Sequence, residues 1–156
     1  MAAVERTTAT PDETEALAAD LGRAAVDGTL IGLVGELGAG KTAFVRGLAR
    51  GLGIDPERVH SPTFTIATAY PDGRLRLQHV DLYRFDGPLA DDPWLRETVW
   101  GGDGVTAVEW FDRIADPGDD VLVVRFHVTG PAARRLRFEP HGARHGDVLA
   151  RMFRAA

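Results

Sequence analysis

Cysteine is absent from these 156 residues, which removes disulfide pairing, thiolate metal sites and cysteine nucleophiles from consideration. Lysine is almost absent as well: Lys41 stands alone against seventeen arginines. No apolar run approaches the ~20 residues that a helix needs to cross a bilayer, so no membrane role is expected. The opening MAAVERTTATPDETE carries acids and no apolar core, unlike a secretory leader, and the cytoplasm is the expected compartment. A formal charge of −5 and a pI near 5.5 argue against free-standing nucleic-acid binding, which calls for a basic surface. The apolar share of 44% and charged share of 26% are those of an ordinary soluble globular chain. The length suits one domain over residues 1–156 and leaves no room for a second catalytic domain.

What is present centres on the lone lysine. Gly35-Glu36-Leu37-Gly38-Ala39-Gly40-Lys41-Thr42 matches the phosphate-binding pattern G-x-x-x-x-G-K-[ST]. Glycines let the backbone wrap a phosphate with N–H groups pointing inward. A compact ammonium reaches the β- and γ-phosphates, and the threonine hydroxyl serves Mg²⁺. A flat guanidinium would not enter that ring in the same way, which accounts for a lysine in a chain that otherwise uses arginine. The flanks agree: Thr29–Val34 reads as a buried strand, and from Lys41 to about Leu52 the apolar residues Phe44, Val45, Leu48 and Leu52 return at helical spacing.

Around this unit the pattern predicts α/β organisation. Residues 1–9 read as a flexible arm. Thr10-Pro11-Asp12-Glu13 is a helix start with a threonine cap, proline at the first position and glutamate closing a capping box. Ile66–Tyr70 and Leu75–Val80, joined by Pro71-Asp72-Gly73-Arg74, read as a β-hairpin. A short helix is expected over Trp94–Trp100, strands over Val105–Val108, Val121–Val128 and Arg134–Glu139, and a helix over Asp147–Arg154, with residues 130–156 the least patterned part.

A phosphate-loop ATPase needs a carboxylate on the Mg²⁺ side, at the C-terminal end of a buried parallel strand. Glu109 follows the continuous apolar run Val105–Val108, whereas Asp81 follows an alternating, half-wet strand. Continuous runs mark buried parallel strands, which favours Glu109 for the metal and casts Asp81 as a second acid orienting water. The competing readings are an ordinary strand-end carboxylate and a turn cap. Ser61-Pro62-Thr63 sits where a γ-phosphate-sensing switch is found, with Thr63 or Ser61 as contacts, and reads equally as a plain loop. His60 and His79 lack partners at metal-ligand spacing and are taken as non-ligands. Arg84 is open between stabilising transition-state charge, binding a partner, and simple solvation.

Taken together, GELGAGKT (Gly35–Thr42), SPTF (Ser61–Phe64), HVDLYR (His79–Arg84) and VEW (Val108–Trp110) resemble the TsaE (YjeE) family in order and spacing, as do the Asp12-Glu13-Thr14 helix start and Gly47…Gly51-Leu52-Gly53. The resemblance spans roughly residues 10–128. It implies a small bacterial ATPase that supports threonylcarbamoyl modification of the adenosine beside the anticodon in tRNAs reading A-starting codons. Such a protein does not make the modification itself. It binds the complex of TsaD, the transferase, with TsaB, and so meets tRNA only through that complex. Carried over by position, Gly38, Ala39, Gly40, Lys41, Thr42 and Ala43 hold the ATP phosphates. Thr42 and Glu109 ligate Mg²⁺, and Glu13 or Thr14 lies near the base. Glu36 stands where aspartate is frequent, and residues 86–104 depart from the family's Asp-Pro…Glu-Leu…Gly pattern, carrying Trp94 and Trp100 instead.

Three rival readings stand beside this one, and the third, a non-enzymatic nucleotide-dependent interaction module, differs from it only in whether turnover matters. GTPases select guanine with Asn-Lys-x-Asp, and the sole lysine is already committed. A small-molecule kinase shares the loop but needs an acceptor pocket and an arginine-bearing lid, while the C-terminal half here reads as strands and turns. The expectation is a three-layer P-loop domain with a mixed, partly antiparallel sheet, binding ATP and Mg²⁺ and hydrolysing slowly without partners.

Overall fold

Thr29–Val34 buries five of its six residues, as a strand covered on both faces must. In the computed structural model, which describes residues 1–61, 66–85 and 92–154, this strand, β2, lies inside a seven-stranded sheet. The others are β1 (Val4–Thr8), β3 (Ala67–Tyr70), β4 (Leu77–Asp81), β5 (Val105–Glu109), β6 (Val121–Val128) and β7 (Arg134–His141). They run in the order β1-β7-β6-β2-β5-β4-β3. Strands β6, β2, β5 and β4 are parallel; on one flank β7 pairs antiparallel with β6 and β1 antiparallel with β7, so β1 runs in the same direction as the central four, and on the other β3 pairs antiparallel with β4.

Alternation along the parallel strands builds two apolar layers. Ile31, Leu33, Ala107, Leu122 and Val124 face one cluster, which is completed by the helices α1 (Pro11–Ala24), α2 (Lys41–Gly51) and α4 (Ala143–Arg154). Leu30, Val108, Val121 and Val123 face the other, with Leu95 and Val99 of α3 (Pro93–Trp100) and Phe111. Helices on both faces of a mixed sheet give the three layers expected from the strand–loop–helix pattern.

Helix α1 begins as the sequence indicates. The Thr10 hydroxyl accepts the Glu13 N–H at 3.2 Å, and the Glu13 carboxylate accepts the Ala9 N–H at 3.0 Å. At its other end the orphan carbonyls of Gly22 and Ala25 accept from Arg74 at 2.9 Å, and that of Ala24 from Arg151 at 2.8 Å. Helices α1 and α2 meet at backbone distance. A methyl on Gly47 would stand 2.3 Å from the Glu15 carbonyl oxygen, and one on Gly51 2.2 Å from that of Ala19, so glycine is required there by contact. This close seam fixes α2, whose first residue is Lys41.

Two expectations need correction. Residues 1–9 are not an unpaired arm. Val4–Thr8 pairs antiparallel with Arg134–Phe138 and closes that sheet edge, and the Thr8 hydroxyl shares a buried 2.6 Å hydrogen bond with that of Thr14. VERTT has too little apolar alternation to announce a strand; the free backbone edge of β7 supplies the reason. Strand β4 is half-wet only at its start: exposed Arg76 and half-buried Gln78 alternate with buried Leu77 and His79, but Val80 is buried as well, because β4 lies between β3 and β5 and its end is covered on both faces. Smaller differences lie near the C-terminus, where β7 continues to His141 and α4 starts at Ala143 rather than Asp147.

Helix α4 is tied to β2 through His145, which is fully buried. Its Nε2 accepts the Leu30 N–H at 3.0 Å, so Nδ1 carries the hydrogen and donates to Asp120 at 2.8 Å. Burial pushes this imidazole below its ordinary value of 6.5, against the opposing pull of the Asp120 carboxylate. The unfolded chain therefore takes up a proton that the fold refuses. Stability from this group should be complete above about pH 6.5 and fall as pH drops through the depressed folded value. Chemical denaturation of wild type and His145→Gln at pH 7.5, 6.5 and 5.5 should show the stability gap between them narrowing with acidification.

Candidate active site

The C-terminal ends of the four parallel strands face the same edge of the sheet, where ligands gather in open α/β folds. Beyond β2 the chain turns through Gly35–Gly40 into α2. Gly38 and Gly40 hold φ of +81° and +102°, a region that favours glycine. A Cβ on either would meet nothing within 4 Å, so the loop presents bare backbone to an open cleft of about 460 Å³. Gly40 caps α2 without a side-chain hydrogen bond, which leaves the first N–H groups of the helix for an anion.

Lys41 is 5% exposed. Its ammonium donates to the carbonyls of Gly35 at 2.5 Å and Glu36 at 2.9 Å, and lies 3.9 Å from the centre of the Trp110 ring. Burial lowers its pKa, and the carboxylates of Glu109, Asp112, Asp81 and Glu36 oppose that. Trp110 reaches this place through a left-handed backbone (φ +59°) immediately after β5. It is the one non-glycine with positive φ among the described residues, a strain of order 1–3 kcal/mol of the kind found at working sites.

Both acids arrive together. Asp81 and Glu109 are register partners at the ends of the parallel strands β4 and β5, and Glu109 is in turn opposite Leu33 of β2. Their environments differ. The Glu109 carboxylate, 4% exposed, accepts from the Thr42 hydroxyl at 3.1 Å and from His79 Nε2 at 2.5 Å. Since the single Thr42 hydrogen goes to Glu109, the Ser61 hydroxyl donates to Thr42 at 2.8 Å. The chain Ser61–Thr42–Glu109–His79 thus joins the residue after the loop to the acid after β5. Asp81 stands outside it, accepting the Tyr83 N–H at 2.9 Å. Burial raises the Asp81 pKa, the Tyr83 N–H pulls it down, and the adjacent Glu109 raises it further.

Strand character does not separate the two acids, because β4 and β5 are both inner parallel strands. The hydrogen bond from Thr42 does separate them: Glu109 and Thr42 form one cluster of hard oxygen donors, suited to a divalent cation that also takes phosphate oxygens. No group of three or more His, Asp or Glu able to hold a metal by protein ligands alone exists among the described residues. That composition fits Mg²⁺, which is held by one or two protein oxygens plus phosphates.

The expected residues are distributed as follows. Gly38, Ala39, Gly40, Lys41, Thr42, Ala43, Asp81 and Glu109 all line the cleft. Ser61 and Arg84 line it too. Thr63 falls outside the described residues. Glu13 is not on the cleft lining, and its carboxylate is engaged in the cap of α1. That helix nevertheless starts at the same sheet edge, since Thr8 is in register with Arg134, whose guanidinium touches the phosphate loop at Gly38 and Ala39.

Comparison with known proteins agrees with this arrangement. A family model described as "Threonylcarbamoyl adenosine biosynthesis protein TsaE" matches residues 8–136. The chain belongs to the TsaE family. The Bacillus subtilis "tRNA threonylcarbamoyladenosine biosynthesis protein TsaE" is 40% identical over 140 residues, covering 88% of this chain and 86% of that protein. The Streptomyces coelicolor protein of the same name is 42% identical over 115 residues (70% and 76%). The Synechocystis relative is 50% identical over 91 residues, a match spanning 57% of its length. The crystal structure of Bacillus subtilis YdiB superposes with a TM-score of 0.81 at 34% identity, covering 98% of this chain and 95% of that one. This is therefore a P-loop, nucleotide-binding protein of tRNA threonylcarbamoyladenosine biosynthesis. No helix among its described residues is long and apolar enough to cross a membrane.

In this TsaE-family chain the residue that sequence reading undervalued is His79. Its lack of a metal-ligand spacing hid a different role, because its partner Glu109 is thirty residues away. Its Nδ1 is buried with no hydrogen-bond partner among the described residues, a cost offset by the bond at Nε2. Only the pairing of β4 with β5 brings the two together. Trp110 lay inside the VEW motif, but nothing local signalled the left-handed turn that puts its ring beside Lys41. A double-mutant cycle on His79→Ala and Glu109→Ala, read by chemical denaturation, should give a coupling energy of about 1–3 kcal/mol. Additive single effects would show the pair to be incidental.

Proposed function

We propose that this chain binds ATP with Mg²⁺ at the cleft, hydrolyses it, and so supports the modification of tRNA adenosine carried out by TsaD with TsaB. The observation that carries the reading is the Thr42–Glu109 hydrogen bond at the mouth of a glycine loop. It sets a metal-suited oxygen pair beside a buried lysine and a second carboxylate. The loop N–H groups and Lys41 bind and orient the phosphates, with Ala43 at the start of the first helical turn. Thr42 and Glu109 hold Mg²⁺, which when bound neutralises phosphate charge and fixes its orientation. Asp81 holds and orients the attacking water. Its raised pKa is in keeping with a carboxylate that gains by having a hydrogen-bond donor supplied to it. The start of α1 around Glu13 serves the base, and Thr63 in the Ser-Pro-Thr segment senses the γ-phosphate.

Slow turnover by the isolated chain follows from an open cleft. Leu37 is 73% and Tyr83 44% exposed at its rim, so water competes for the phosphates. A partner complex seated over that rim would exclude water and strengthen every charge interaction inside. In related phosphate-loop enzymes, transition-state charge supplied in trans is worth ~10³–10⁵ in rate.

Lys41→Ala should abolish tight ATP binding in calorimetry with Mg²⁺, because the β- and γ-phosphates lose their point charge; unchanged affinity would remove the reading. Glu109→Ala should cripple Mg²⁺-dependent hydrolysis while leaving some nucleotide binding through the loop N–H groups. Asp81→Ala should spare Mg²⁺ affinity more than Glu109→Ala does, measured by Mg²⁺ titration of the nucleotide complex. A stronger metal defect in Asp81→Ala would exchange the roles of the two acids. Adding TsaD, TsaB and tRNA should change the rate of ATP turnover, whereas a kinase would be indifferent to them and would phosphorylate a small acceptor.

A further inference from the structure

Side-chain packing holds the phosphate loop at its base, where Ala39 is fully buried in the core, but not at its two left-handed glycines. These touch nothing that a Cβ would meet, and glycine is the residue with the most backbone freedom to lose. Internally, the Ala39 N–H donates to the Glu36 carbonyl at 3.1 Å. Lys41 bonds the Gly35 and Glu36 carbonyls, contacts it must give up to reach a phosphate. One further set of bonds grips the loop from behind. Arg134, the first residue of β7, donates from Nε to the Ala39 carbonyl at 2.9 Å and from Nη2 to the Gly38 carbonyl at 3.2 Å. Its Nη1 donates to the carbonyls of Gly130 at 3.0 Å and Ala133 at 2.8 Å.

We infer that Arg134 is a positioning residue of the phosphate loop, fixing the Gly38 and Ala39 carbonyls so that the Gly40 N–H stays turned toward the bound phosphates while the Ala39 N–H keeps its bond to the Glu36 carbonyl. The reason is peptide geometry. In a planar trans peptide the C=O and N–H point in opposite directions. Holding the Ala39 carbonyl therefore holds the Gly40 N–H for phosphate, and holding the Gly38 carbonyl keeps the Ala39 N–H on the Glu36 carbonyl, so the turn of the loop is preserved. The anchor is itself rigid: Arg134 is register-paired with Val128 of β6 on one side and Thr8 of β1 on the other. The planar fork matters because a single guanidinium bridges four carbonyls on two loops. A lysine ammonium has three donors at one point and cannot span them. Ordering the loop before binding removes an entropic cost from association, and none of these contacts needs to break when phosphate enters.

The inference rests on the nucleotide reading, and the experiment separates the two. Arg134→Gln, Arg134→Lys and, as a charge control, the exposed neighbour Arg135→Gln would be compared with wild type by ATP–Mg²⁺ calorimetry, thermal unfolding, and amide hydrogen exchange over residues 36–41. Arg134→Gln should weaken ATP binding about 10–100-fold, the range usual when a supporting contact behind a ligand-holding group is lost. Exchange should accelerate in the loop but not in β2 or the body of α2. Arg134→Lys, which keeps the charge and spares more of the fold should the glutamine variant unfold, should recover only part of the affinity and leave the loop exchanging fast. Arg135→Gln should match wild type. Wild-type affinity and wild-type loop exchange in Arg134→Lys would overturn the inference, as would a fall in melting temperature with affinity and loop exchange unmoved. If the wild-type chain itself failed to bind ATP, the nucleotide reading would fall, and loop exchange alone would then judge Arg134.

Discussion

Two carboxylates held side by side at the ends of adjacent parallel strands form the constraint on which the site depends. Asp81 and Glu109 are register partners, and like charges this close in a half-buried cleft repel. The fold answers with unequal surroundings. Glu109 receives donors from Thr42 and His79, while Asp81 receives one backbone N–H and titrates high. Lys41, between loop and acids, opposes both charges at the cost of its own burial. A cation seated at the Thr42–Glu109 pair would relieve the repulsion that remains.

The rest of the molecule serves to keep that edge in place. The buried run of β2 leads straight into the glycine loop, the interlocked glycines of the α1–α2 seam fix the helix that follows, and α3 covers the face below Val80 and Val108. His145 and Asp120 pin α4 to the start of β2, at the end of the sheet away from the cleft. Stability and site preparation are thus supplied from opposite ends of the same strand.

Much of this was legible in the sequence, for a physical reason. The elements carrying the phosphate loop have short-range signatures: a continuous apolar strand, glycines at fixed offsets, a helical apolar stripe, and a capped α1. Glu109 was found by asking which acid follows a buried run. That argument reached a residue with the right neighbours on grounds that do not separate the two acids, because β4, for all its alternation of buried Leu77 and His79 with more exposed Arg76 and Gln78, is an inner parallel strand too. What could not be read depends on pairing between distant segments. Val4–Thr8 is a strand because β7 offers it an edge, His79 meets Glu109 because β4 lies beside β5, and Arg134 reaches the loop because β7 returns beside β6. Trp110 needed a backbone turn with no glycine or proline to announce it.

Membership in the TsaE family gives the process, and the part proposed for this chain in it, ATP binding and hydrolysis in support of a transferase, rests for its nucleotide half on the glycine loop and the Thr42–Glu109 pair. The most direct test is a multiple-turnover modification assay with TsaD, TsaB and substrate tRNA, with and without this chain. Threonylcarbamoylated adenosine should accumulate beyond one equivalent per TsaD–TsaB complex only when the chain is present with ATP and with Thr42 and Glu109 intact. Undiminished multiple turnover in its absence would contradict the account.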